Sequence, residues 1–212
     1  MRYIPIMPHP TDSHPASRPT SPAGSAGTGD DRSTRHSVQA VARRTVALVN
    51  ALTTTDPPHH TPPTAIAELL REHGESEPIQ LTPTDVTDLR AAALLLRPVF
   101  AAEDVDAAAG VLNRLLRRSR GALRLTSHAG RSPWHPHLDS DDDAPWGEWF
   151  LASSCLALTM LVWDRQRPPG GICASPSCRH VYTNEGSGPP RRYCSRRCAT
   201  RERVAAHRRA HA

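Results

Sequence analysis

The 212 residues carry 26 basic side chains, all of them arginine, against 21 acids, and only 38% of the chain is hydrophobic and 4% aromatic. That length accommodates one medium domain and a small one, while 21 prolines with so few aromatics exclude a core running through the whole chain. The net charge of +5 is unevenly placed: residues 165–212 hold 11 arginines against two acids, the preceding 164 hold 15 against 19, and a polyanion is therefore drawn to the C-terminal end.

Taken in order, residues 1–34 are dense in Pro, Ser, Thr, Gly and His and lack both periodicity and the apolar core of a signal peptide. They read as a disordered tail in which His9 and His14 are solvated. Without a signal peptide the chain is expected in the cytoplasm, and on the nucleoid if it binds DNA. Ordered sequence begins near Ser37. Val38, Val41, Thr45, Val49 and Leu52 step by three or four and so share a helical face, with Asn50 beside that stripe as a surface or capping amide. The proline-rich stretch 56–63 ends the helix, and His59 and His60 within it read as solvated.

Residues 64–73 form a short helix with Ile66, Leu69 and Leu70 inward and Gly74 just past its end. Thr82-Pro83-Thr84-Asp85 is a strong helix start, joining an N-cap, a proline at the first position and an acid in the first turn. That helix continues through Val86, Leu89, Ala93 and Leu96 until Pro98 kinks or ends it. A fourth helix covers 104–118, and Arg114, Arg117 and Arg118 at its end complement its dipole rather than form a nucleic-acid patch. Residues 121–126 are a candidate strand. His135, His137 and the acids from Asp139 to Asp143 suggest a hard-metal or catalytic site, but the surrounding prolines favour a solvated acidic loop.

Trp146–Trp163 is the most apolar stretch. The 15 uncharged residues between Glu148 and Asp164 fall short of the roughly 20 needed to span a bilayer, so the stretch is expected to be the central buried helix, with Cys155 a small buried hydrophobe. Residues 165–171 read as a Pro- and Gly-rich linker. Beyond it come four of the five cysteines, Cys173, Cys178, Cys194 and Cys198, spaced C-x4-C-x15-C-x3-C. Two close pairs at this separation are a zinc signature, because each short turn aims two thiolates at one tetrahedral ion.

Disulfides compete with that reading. So does a site of two cysteines and two histidines using His207 and His211, although its eight-residue spacer is short and would strand Cys173 and Cys178. Four cysteines around one structural Zn2+ is the favoured assignment. Residues 179–183 and 191–193 are candidate strands flanking a Gly- and Pro-rich turn at 184–190. Ser195 is a candidate N-cap for a helix running to Ala210. The expected fold is mainly α: a helical domain over 35–164, then a small treble-clef-like four-cysteine zinc finger over 172–212 with a short β-hairpin and a terminal helix.

The finger residues also carry a family likeness. Cys173, Cys178, Tyr182, Arg191-Arg192-Tyr193-Cys194-Ser195 and Cys198 resemble the CGNR zinc finger of bacterial proteins, in which Trp stands at the place of Tyr193. The signature tetrapeptide is here Cys198-Ala199-Thr200-Arg201, keeping the first and last members. Ala47-Leu48-Val49-Asn50 resembles the opening of the ABATE domain, the usual upstream partner of these fingers. The resemblance implies a transcription regulator.

The arginines support the same direction on their own chemistry. Arg191, Arg192, Arg196, Arg197, Arg201, Arg203 and Arg208 are candidate nucleic-acid contacts, since a guanidinium pairs bidentately with phosphates and guanine edges. DNA is thus the expected partner, with no membrane partner. Docking of an acidic protein is the alternative, and a small-molecule effector for the helical domain stays open. No nucleophile, base and orienter fall at usable spacing, and the chain reads as a binding protein rather than an enzyme.

Overall fold

A computed structural model describes residues 37–54, 61–130, 132–184, 188 and 191–211. The expected tail, the histidines at 9, 14, 59 and 60, and most of the turn expected at 184–190 lie outside the described residues. Six helices and two small antiparallel hairpins make up the described architecture. The helix starts follow directly from local sequence. Helix α1 (Val38–Thr53) starts where the Ser37 hydroxyl accepts from the Ala40 N–H at 3.1 Å, and α2 (Pro63–Glu72) starts on a proline.

Helix α3 (Pro83–Phe100) opens with a capping box, Thr82 Oγ1 accepting from Asp85 N and Asp85 Oδ2 accepting from Thr82 N at 2.8 Å. It continues through Pro98 and ends within three residues of it. Helix α4 (Val105–Leu116) is capped by Asp104, which accepts from Ala107 N at 2.8 Å. Helix α5 (Trp146–Arg165) is the central element, packed against α1, α3 and α4. Its Phe150 and Leu158 are fully buried, as are Leu48 and Val49 of α1 and Leu89, Leu96 and Val99 of α3. Each such side chain contributes about 1.5–3 kcal/mol relative to an exposed one. The last turn of α5 departs from the expected buried helix, since Trp163 is 69% exposed.

Arg44, which nothing in the sequence singles out, is buried at the junction of α1 and α5. Its Nη1 lies 2.8 Å from Glu75, its Nη2 donates to Ser153 Oγ at 3.0 Å, and the guanidinium sits 4.2 Å from the Trp149 ring centre. Burial lowers its pKa, opposed by the Glu75 carboxylate.

Two expectations need correction. The stretch 135–143 is a solvated acidic loop only over 140–143, which are exposed. Strand β2 (His135–His137) pairs with β1 (Arg124–Thr126), and Asp139 is only 2% exposed, its carboxylate 2.8 Å from Arg124 Nη1. The charge run misleads because two of its acids, Asp139 and Asp142, pair with Arg124, 15 and 18 residues away in sequence. Close approach is also needed here: a Cβ on Gly121 would stand 1.8 Å from Asp139 O.

The second correction concerns the hairpin of the C-terminal module. Its strands are β3 (Gly170–Ile172) and β4 (Val181–Thr183), with Gly171 opposite Tyr182, whereas the sequence points to 179–183 pairing with 191–193. Gly170 and Gly171, expected as linker, are strand residues because nothing larger fits: a Cβ on Gly170 would lie 1.8 Å from Tyr182 O. Val181 and Ile172 then join the helical core, so the small module sits directly on the bundle.

Candidate metal centre and basic groove

The β3–β4 hairpin carries the first cysteine pair at its tip. Cys173 donates its N–H to His180 O at 2.9 Å, continuing the strand pairing, and Cys178 N donates to Ser175 O at 2.9 Å, closing the turn between the two sulfurs. The second pair opens helix α6 (Arg196–Ala210). Ser195 is its N-cap and accepts from Cys198 N at 3.3 Å, which fixes Cys198 in the first helical turn as the spacing predicts. Ala174 N donates to Arg192 O at 2.9 Å and ties the two halves together.

All four sulfurs lie within 4.8 Å of one another. Cys178 and Cys194 are 3.6 Å apart and Cys194 and Cys198 3.7 Å. A disulfide requires about 2.05 Å, and none is formed. Four thiolates around a tetrahedral Zn2+, with Zn–S near 2.3 Å, stand about 3.8 Å apart, so donor type and spacing both fit the ion. The remaining alternative, a site using His207 and His211, does not arise: His211 Nδ1 faces His207 O at 2.8 Å on the exposed far end of α6.

The thiols differ in acidity. Burial raises Cys194 to about 12 and also raises Cys178, while the Ser195 hydroxyl, against a smaller burial effect, brings Cys198 down to about 7. Zinc binding to such a set displaces protons. Cys155, by contrast, lies in α5 away from the cluster, and burial lifts it to about 12.

A network under the metal site locks α6 to the first turn. Ser175, 1% exposed, donates to Glu202 Oε1 at 2.5 Å and accepts from Arg201 Nη2 at 2.7 Å. Arg201 Nη2 also stands 3.5 Å from Cys198 Sγ. This arginine is placed to support the thiolate cluster as well as to present charge. Arg191 is similarly engaged, donating to Cys194 O at 2.9 Å and lying 5.6 Å from the Tyr182 ring centre. Tyr182 OH donates to Arg191 O.

All seven candidate nucleic-acid arginines are exposed. Beside the cysteines runs a groove of about 880 Å³ lined by Arg43, Arg179, Arg191, Arg197 and Arg201 among others. Arg192, Arg196, Arg203 and Arg208 are not among its lining residues. Arg43 escapes a reading of the sequence, since nothing in the chain order signals that α1 borders the finger, and Arg179 reads there only as part of a candidate strand.

The residue that joins the two parts is Asn50. Its Nδ2 donates to Val181 O at 3.0 Å and its Oδ1 accepts from Val181 N at 2.8 Å. The side-chain amide thus acts as a one-residue extension of the β3–β4 sheet and is neither a surface nor a capping group. The outer edge of β4 would otherwise leave these two backbone groups without a protein partner.

Cysteine cluster, hairpin and capped helix together define a zinc-binding protein with a treble-clef-like finger on a helical domain. Residues 171–211 match the family model of the CGNR zinc finger, and the C-terminal module is accordingly a finger of that family. No curated protein matches the chain. Among the described residues no helix is long and apolar enough to cross a membrane.

Proposed function

We propose that the protein is a DNA-binding transcriptional regulator in which a structural zinc site presents arginines to the nucleic acid. The observation that carries this reading is the groove beside the cysteines, where arginines from α1, the first knuckle, the segment before Cys194 and α6 converge. Guanidinium groups in such a concavity attract a phosphate backbone, whose neutralisation supplies most of the affinity. A closed set of four protein ligands leaves zinc without an open position, so its role is to hold the finger together rather than to catalyse. A module of this size buries little apolar surface, and zinc contributes on the order of 10–16 kcal/mol to comparable folds.

The groove arginines divide by role. Arg197 serves binding only, whereas Arg191 and Arg201 also brace the metal site. The test is fluorescence anisotropy of duplex DNA across a salt series. The expected slope is about 0.9 log units of affinity per phosphate neutralised, shallower by roughly one such step in Arg197→Ala. Binding indifferent to salt and to Arg197→Ala would overturn the reading. A basic groove also fits an acidic protein. Capture of a partner that survives nuclease treatment, with no affinity for DNA, would move the assignment to that alternative.

A further inference from the structure

We propose that His128, His135 and His137 form a second metal site in the helical domain, taking a divalent transition-metal ion through three imidazole nitrogens. The hairpin builds it. His135 and His137 are two apart on β2 and so project from the same face. The chain after β1 turns back through residues in the left-handed region, His128 at φ 49° and Ala129 at φ 58°, which brings the third imidazole onto that face. The donor atoms of all three lie within 4.8 Å of one another.

The outer contacts orient the rings for metal. His135 Nδ1 is 2.7 Å from Pro133 O, His137 Nδ1 is 2.9 and 3.0 Å from the two Asp139 oxygens, and His128 Nδ1 is 3.3 Å from Asp142 Oδ2. A carbonyl or carboxylate oxygen only accepts, so in neutral His135 and His137 rings the proton sits on Nδ1 and the lone pair on Nε2, and Asp142 favours the same tautomer of His128. Those Nε2 atoms converge, His135 being 3.2 Å from His128 and 3.0 Å from His137. Lone pairs facing at that distance repel unless a cation lies between them.

Ring centres are 4.9–5.1 Å apart with interplanar angles of 43°, 60° and 75°, so the rings radiate from a common point and do not stack. Zn–N bonds of about 2.0–2.1 Å in a tetrahedron put ligand nitrogens roughly 3.3–3.4 Å apart, close to the spacing found. Imidazole sets of this kind suit zinc, cobalt or nickel. Hydrogen bonding of a ligand's second nitrogen to a carboxylate is the usual way such rings are fixed. Here Arg124 in turn holds both carboxylates, at 2.8 Å from Asp139 and from Asp142. Three protein ligands leave a fourth position for water or a small donor, and the histidines line a cavity of about 610 Å³ shared with Arg44 and Trp149.

This inference is independent of the DNA-binding reading. The test is metal analysis of the full chain, purified under reducing conditions and loaded with Zn2+, followed by Co2+ titration of protein zinc-loaded at the cysteines only. Two ions per chain are expected, falling to one in His135→Ala, with the visible bands of nitrogen-ligated cobalt in the wild type and not in that variant. Asp139→Asn should weaken the second site roughly 10- to 100-fold, with the helical circular dichroism retained. One ion per wild-type chain and no cobalt bands would overturn the proposal without recourse to any variant, leaving the cluster as histidines sharing a proton. Two ions retained in a folded His135→Ala would overturn it as well.

Discussion

Asn50 shows how much one side chain carries in this molecule. Its amide makes both hydrogen bonds that Val181 offers on the outer edge of β4, across 131 residues of sequence. Asn50→Ala leaves both backbone groups without that partner, at a cost of about 1–3 kcal/mol, and urea unfolding should record a lower midpoint. An unchanged midpoint would show that the clamp is dispensable. Cysteine accessibility is a second test at this scale. With zinc bound, thiol reagents should modify none of the five cysteines rapidly. After chelation four should react, and Cys155, buried and held near 12, only on denaturation.

The four zinc ligands are legible in the sequence because their spacing is local and each pair closes its own turn. Asn50, His128 and Arg43 are not, because each acquires its role from a partner brought close only by the fold. His135 and His137 are visible as a pair, but the prolines beside them point to a loop. The third histidine and Asp139 complete the arrangement through a hairpin that no periodicity announces.

At the level of elements, helices declare themselves through caps and apolar spacing, and those features persist in three dimensions. The Ser37, Thr82, Asp104 and Ser195 caps all accept from the third residue of their helices. Three-residue strands carry too little alternation to reveal a partner, which is why the sequence points β4 towards residues 191–193. Gly170 and Gly171 look like flexible linker for the same reason that they serve as strand: neither has a side chain to collide with Tyr182. Gly170→Ala should therefore push β3 from β4 and weaken zinc retention, measured by competition with a chromophoric chelator. Retention equal to the wild type would contradict this pairing. Thr82→Ala removes the capping-box hydroxyl of α3 and should cost about 1 kcal/mol, read as a lower thermal midpoint with zinc retention unaffected.

Over the whole molecule, charge and architecture divide at the same place. The helical part is acidic overall and the finger strongly basic, yet Val181 and Ile172 of the finger join the hydrophobic core of the bundle. The helical bundle has its own core in Phe100, Phe150 and Leu158, whereas α6 has only Cys198 buried. Removing zinc should accordingly release α6 and the groove arginines it carries, Arg197 and Arg201, while most of the helical signal survives. The most direct measurement is DNA affinity of the full chain before chelation, after it, and after zinc is restored, with circular dichroism followed in parallel. Loss and recovery of binding, with the bundle intact throughout, is the outcome expected when four thiolates and one ion hold the basic surface in place. Affinity that persists in the metal-free chain would contradict it.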